Sequence, residues 1–300
     1  MAKLSLKKKR AFKKTPLDVA LTAINIVVLT GMCFMVIYPF WTILVQSFMT
    51  DQEIIGNSLA LWTWHPQISG FKTIFTNPVY NFSRAFLNSV IVTVVDTVYQ
   101  LAITACTAYT LSRKNLPGKK VLLFYFVFTM YFGGGLVPYY LVISELGLRN
   151  KLAVMIIPSF ISVYNMLIIR SYFVGFPKEL EEAACIDGAN KLQIFIGIVI
   201  PLSGAILATI ALFIAIGQWN NWYTAMLFIT DLEKRPMAYA LQVIIERSKG
   251  TNSDIGGQIQ VVGKSIQYAA IVVTIIPVMI VYPFFQKYFV KGVMIGSLKD

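Results

Sequence analysis

Long apolar runs separated by short polar stretches dominate the chain, and they predict its elements. A membrane-crossing helix needs about 20 predominantly apolar residues. The first run, from Leu17 to about Phe48, exceeds that length, and Pro39 within it predicts a kink or a loosened outer end. It is too long for a signal-peptide core and has no small-residue cleavage site, so it is expected to remain as a span. Further runs cover residues 82–111, Val121 to about Ile143, Leu152 to Tyr172, Phe195 to Thr230 and Ser265 to Phe285. Gly133, Gly134, Gly135 and Pro138 interrupt the third, predicting close packing or a broken helix. Residues 49–81 and 231–262 are polar with scattered aromatics, and 145–151 is short; all three are expected on the outer side. The pattern predicts an all-α membrane protein with six transmembrane helices.

Composition agrees. Of 300 residues, 57% are hydrophobic and 13% charged, with a mean hydropathy of +0.67; a soluble domain carries about 25% charged residues. A net charge of +12 would suit nucleic acid, but the basic residues sit beside apolar runs and form no single polar face. No nucleic-acid partner is expected; the bilayer is. With the amino terminus inside, the inner segments hold 17 of the 26 Lys and Arg residues, the bias that orients membrane proteins. Both termini are therefore expected in the cytoplasm. The expected division is a basic segment at 1–16, a six-helix membrane domain at 17–290 and a short tail at 291–300. Cys33, Cys106 and Cys185 have no metal-type spacing, and His65 stands alone, so neither a metal site nor a catalytic base is expected. Asp96 is the one acid at mid-span depth; such a group is either functional or hydrogen-bonded to a neighbouring helix.

The most polar inner interruption lies at about 175–194. Pro177 suits a helix start, and Glu179, Glu181 and Glu182 sit at the positive end of that helix dipole. Ala183 and Ala184 are small enough for close approach by a partner. Gly188 supplies the freedom for a turn, and Asn190 is a good cap for the next helix.

Glu182-Ala183-Ala184, Gly188, Ile198 and Ile200-Pro201 resemble, in type and spacing, the "EAA loop" of ABC importer permeases, with Ile200 where Leu is usual. The wider chain is similar to carbohydrate-uptake permeases of the maltose-importer type. It looks like the second permease of the pair, in the subgroup that imports oligosaccharides. Asn88-Ser89, the stretch Ala108 to Arg113, the stretch Tyr131 to Pro138, Ser162 to Asn165, Gly217 to Trp222 and the ending Phe285 to Gly292 carry this likeness. The resemblance implies the type I ABC importer permease fold and a multi-pass protein of the bacterial plasma membrane. It implies a second permease, two ATPase subunits and an extracellular or periplasmic sugar-binding protein as partners. It also implies that ATP and Mg bind the ATPase subunits, with no cofactor and no catalysis on this chain. The one stretch like a phosphate loop, ending Gly263-Lys264-Ser265, has Gln258 where Gly is needed.

On the same resemblance, Glu181, Glu182, Ala183, Ala184, Asp187 and Gly188 form the contact with the ATPase. Glu182 meets the groove, the alanines permit approach, Asp187 stabilises the loop and Gly188 turns it. Sugar recognition needs stacking surfaces with donors and acceptors, which Tyr139, Tyr164, Asn165, Gln218, Trp219, Asn220, Asn221 and Trp222 supply. The same types also anchor span ends and join helices. An ion-coupled secondary transporter is the alternative; it would use intramembrane ionisable groups, of which Asp96 is the only one.

Overall fold

The computed structural model describes residues 16–57, 59–249 and 262–297. The basic segment 1–14, the stretch 250–261 and the end 298–300 lie outside the described residues. In chain order the helices are α1 (Pro16–Gln46), α2 (Asp51–Gly56), α3 (Ser69–Thr76), α4 (Phe82–Ser112), α5 (Lys119–Tyr131) and α6 (Leu136–Glu145). Two 3₁₀ turns, Leu152–Met155 and Ile157–Ser159, lead into α7 (Val163–Val174) and α8 (Lys178–Ile186). There follow α9 (Lys191–Ile194), a π-turn (Phe195–Val199), α10 (Ile200–Leu202), α11 (Gly204–Trp219), α12 (Trp222–Phe228), α13 (Met237–Ser248) and α14 (Lys264–Ser297).

Three of these helices, α1, α4 and the Lys264–Phe284 part of α14, are long and apolar enough to cross a membrane. Three bent pairs pass the same test together: α5 with α6 at 110°, Leu152–Ser159 with α7 at 43°, and Lys191–Leu202 with α11 at 81°. Six spans result if each bent pair is one. The first break falls on the glycines, where Gly135 has φ +86°. The last has a backbone cause. The break falls at Ser203 (φ −93°, ψ 13°), two residues after Pro201, which has no N–H to donate; a π-turn precedes both, with the Ile200 N–H on the Phe195 carbonyl. By contrast α1 runs through Pro39 as one helix.

The long helix α4 is the centre of the bundle, packing on both α7 and α11. Its buried face is small or polar, including Ala85, Ser89, Ala105 and Ala108, so neighbouring backbones come close. At one end, Ala105, Ala108 and Leu111 form a core with Met166, Ile169, Phe173, Phe195 and Ile210. At the other, Phe82 and Ala85 pack with Ile74, Trp219, Met237, Ile244 and Ala269. The helix α1 meets the bundle through α14; most of its apolar side chains face outward, and only Val45 and Gln46 are buried.

The polar connections 49–81 and 231–262 are more structured than their polarity predicts. Within 231–262 the helix α13 buries Met237, Ala240 and Ile244, at helical spacing, against α4 and α14. In 49–81, Thr50 and Glu53 form a capping box on α2, and Asp51 Oδ1 accepts the Ser265 N–H at 2.8 Å. Gly70 of α3 lies so close to α14 that a Cβ there would meet the Ser265 carbonyl at 2.8 Å.

Candidate functional site

The polar stretch at 175–194 folds as a short helix and a tight turn. Pro177 is the N-cap residue of α8, and Glu179 and Glu181 lie in its first turn. The helix ends as a Schellman motif: Ala189 N–H donates to the Ala184 carbonyl at 3.0 Å and Gly188 N–H to the Cys185 carbonyl at 3.1 Å. Gly188 has φ +83°, the left-handed conformation this ending requires. Asp187 sits at the C-cap, its N–H on the Ala183 carbonyl at 3.1 Å. Asn190 then caps α9, its Oδ1 accepting the Gln193 N–H at 2.9 Å while Gln193 Oε1 accepts the Asn190 N–H.

The two faces of α8 differ. Glu181 and Ala184, three residues apart, turn inward. Ala184 is 8% exposed and belongs to the core with Phe173 and Phe195. Its smallness therefore lets α8 settle on its own bundle, and Ala183 is the alanine that faces out. Glu182, Leu180 and Ile186 also face out, Ile186 at 86% exposure. An isoleucine so bare beside a carboxylate makes a mixed apolar and acidic surface.

Glu181 takes a two-pronged ion pair from Arg113, the C-cap residue of α4. Nη2 donates to Oε1 at 2.8 Å, and Nη1 donates to Oε2. The guanidinium lies 3.9 Å from the Tyr109 ring centroid. Arg170 Nε donates to the Leu111 carbonyl at 3.0 Å and Lys119 Nζ to the Arg113 carbonyl at 2.8 Å, so cations cover the negative end of α4. In the sequence Arg113 stands out only as the last residue of the stretch Ala108 to Arg113. Its partner stands 68 positions away, and periodicity carries no signal across that gap.

The residues expected along a sugar path divide. Gln218 and Trp219 are buried. Gln218 Nε2 donates to the Met155 carbonyl at 2.7 Å, and Trp219 Nε1 to the Thr274 carbonyl at 3.2 Å. Asn221 caps α12, its Oδ1 accepting the Thr224 N–H, and its Nδ2 donates to Gln218 Oε1 at 3.3 Å. Asn165 is buried in the first turn of α7, behind the Ser162 cap. Tyr139 and Tyr164 are exposed, and so is Asn220. Tyr139 stands edge-on to Phe228, with 5.8 Å between centroids. Trp222 is half-buried and edge-on to Tyr223. Asp96 is buried and accepts a hydrogen bond from Ser159 Oγ, while Gln100 Nε2 donates to the Ser159 carbonyl.

Residues 84–295 match the family model for the binding-protein-dependent transport system inner membrane component. The chain is 37% identical over 277 residues to Protein LplC of Bacillus subtilis (strain 168), covering 92% of this chain and 93% of that one. It is 38% identical over 266 residues to the polygalacturonan/rhamnogalacturonan transport system permease protein YtcP of the same organism, covering 88% and 92%. Among solved structures, a chain from the crystal structure of a bacterial ABC transporter involved in import of the acidic polysaccharide alginate is similar, with a TM-score of 0.82 and 30% identity. That match covers 93% of this chain and 100% of the other, and gives this chain the type I ABC permease fold. An all-helical bundle of outward apolar helices, matched in sequence over most of its length, belongs to the family of binding-protein-dependent transport system inner membrane components and is a permease subunit of an ABC importer, not an enzyme.

Proposed function

We propose that this permease lines a transmembrane path for oligosaccharides and takes its drive from ATPase subunits that dock on the outer face of α8. The observation that carries the coupling half is the two-faced helix. Glu181 and Ala184 hold it to the bundle, while Glu182, Ala183 and Ile186 face away from it. A carboxylate beside an apolar knob suits a groove with a basic residue and a greasy floor. Gly188 then sets the direction in which the chain leaves that helix.

The cargo half is supported by the names of the relatives: polygalacturonan/rhamnogalacturonan for YtcP, and arabinooligosaccharides for the permease AraQ of Halalkalibacterium halodurans, 29% identical over 273 residues. Within this chain, the side chains free to meet sugar are Tyr139, Tyr164, Asn220 and Trp222; Gln218, Trp219, Asn165 and Asn221 set the frame behind them.

The working unit in this reading is a pair of permeases, two ATPase subunits that bind ATP and Mg, and a sugar-binding protein outside a bacterial plasma membrane. Both termini and α8 lie in the cytoplasm. The membrane domain runs over 17–290, between a basic segment at 1–16 and a tail at 291–300. The test is co-purification from the native membrane, then ATP hydrolysis in proteoliposomes against galacturonate, rhamnogalacturonan, arabinan and alginate oligomers. Stimulation by one class, dependent on the binding protein, is expected. Uptake that persists without the ATPase and collapses with an ion gradient would sink the proposal.

A further inference from the structure

We propose that Arg113 is a positioning residue for ATP-driven transport: it locks α8 to the foot of α4, so that the two move as one body. This rests on the coupling role of α8 proposed above and names the link inside the chain that such coupling needs.

The geometry is that of a clamp. Two parallel N–H···O bonds fix the guanidinium and carboxylate planes against each other, which a single contact does not. The pair is partly withdrawn from water, with 34% of the Arg113 side chain and 16% of the Glu181 side chain exposed. It therefore holds better than a solvated surface pair, and losing one partner leaves the other uncompensated. Arg113 Nε is buried without a hydrogen-bond partner. The Glu181 carboxylate is thus what balances this guanidinium.

The clamp continues into the bundle. The guanidinium lies on the Tyr109 ring, which packs 4.6 Å from the Phe195 ring at the start of the π-turn and edge-on to Phe173 of α7 at 6.0 Å. A displacement of α8 thereby reaches α4, α7 and the bent fifth span through one aromatic ring. Ala184 alone, a methyl group seated in the core, would let α8 roll. The ion pair beside it removes that freedom. The adjacent acids have separate duties: Glu181 binds inward and Glu182 faces out.

The test uses the assembled importer with Cys33, Cys106 and Cys185, all exposed, replaced by Ser. Spin labels at Thr110→Cys on α4 and Glu179→Cys on α8, both exposed, report the distance between the two elements with and without ATP. In the otherwise unaltered clamp the distance is expected to be the same in both states. In Arg113→Met it is expected to differ between them, and uptake of galacturonate oligomers per ATP hydrolysed is expected to fall about tenfold. Arg113→Lys keeps the charge but loses the fork, so a smaller loss is expected and folding is preserved. Arg113→Met with Glu181→Gln is expected to be no worse than Arg113→Met alone. An assembled Arg113→Met importer, or Arg113→Lys if Met fails to assemble, with the fixed distance and an unchanged uptake ratio overturns the clamp. So does a distance that changes on ATP binding with Arg113 intact. Glu182→Arg separates the two ideas: if it hydrolyses ATP and transports normally, the coupling reading itself fails; if it uncouples while the Arg113 variants do not, only the clamp fails.

Discussion

The side-chain amide of Asn88 donates to the carbonyl of Glu233 at 2.7 Å, joining the first turns of α4 to a connection 145 residues later. A second contact, to the Arg235 carbonyl at 3.2 Å, and the Ser89 hydroxyl, which accepts the Met237 N–H at 2.7 Å, complete the junction. Pro236, between these groups, has no N–H, so Ser89 meets the first free donor of α13. Asn88-Ser89 is thus a clasp between the start of α4 and the start of α13.

Asn88→Ala removes both amide bonds and leaves two carbonyls unmet in a partly buried place. A loss of about 1–3 kcal/mol is expected, read as a lower Tm of the purified protein in detergent. Asn88→Asp, which accepts where Asn donates, is expected to be worse. An unchanged Tm for both would show that the clasp carries no stability.

Gln218 and Asn220 are two residues apart and are expected to behave differently. Gln218→Ala opens a buried hydrogen bond to Met155 and should lower Tm, by about 1–3 kcal/mol in stability. Asn220 is exposed, its amide bonded to the Ile216 carbonyl one turn back, so Asn220→Ala should leave Tm within about 0.5 kcal/mol of wild type. Its effect is expected in oligosaccharide uptake instead. Equal loss of Tm in both would erase the distinction between frame and path.

Gly188 offers a clean backbone experiment. A Cβ there would meet nothing within 4 Å, so the cost of a side chain is conformational. Gly188→Ala is expected to cost about 1–2 kcal/mol at φ +83°, and Gly188→Asn less, because Asn tolerates the left-handed region. Gly188→Val should be the most damaging. Uptake ranked Gly, Asn, Ala, Val is the expected order; a Val variant equal to wild type would show that the turn is not used.

Asp96 tests the ion-coupled alternative. Its carboxyl group accepts the Ser159 hydroxyl, and an amide oxygen can take the same bond. Asp96→Asn is expected to retain uptake within about twofold, whereas Asp96→Leu should destabilise the protein, since the link between α4 and Ser159 is lost and the hydroxyl keeps only the carbonyls of its own turn, with Ile156 at 2.8 Å. Loss of uptake in a stable Asp96→Asn protein would favour ion coupling.

Much of this was visible in the amino-acid order, for definite reasons. Residues 82–111 were expected as a span and form α4, because a long, mostly apolar run without Gly or Pro satisfies its backbone in a bilayer as a continuous helix. The break at Gly133–Gly135 was legible from the glycines. The 81° bend in the fifth span was not, because the run stays apolar through the π-turn, Pro201 and the break at Ser203. The helix α13 was hidden by its polar neighbours, although Met237, Ala240 and Ile244 carry the helical spacing. The acidic start of α8, its glycine turn and the Asn190 cap of α9 are local chemistry, and each stands where the sequence predicts it. Which alanine faces inward, and which arginine holds Glu181, depend on the bundle beneath and have no local signature.

The most direct measurement is ATP hydrolysis by the reconstituted importer, with and without the loaded binding protein, for wild type and for Glu182→Arg. Wild type is expected to be stimulated, and Glu182→Arg to assemble poorly or to lose the stimulation. Full stimulation in Glu182→Arg, with the protein inserted and assembled normally, would contradict the claim that the outer face of α8 receives the drive.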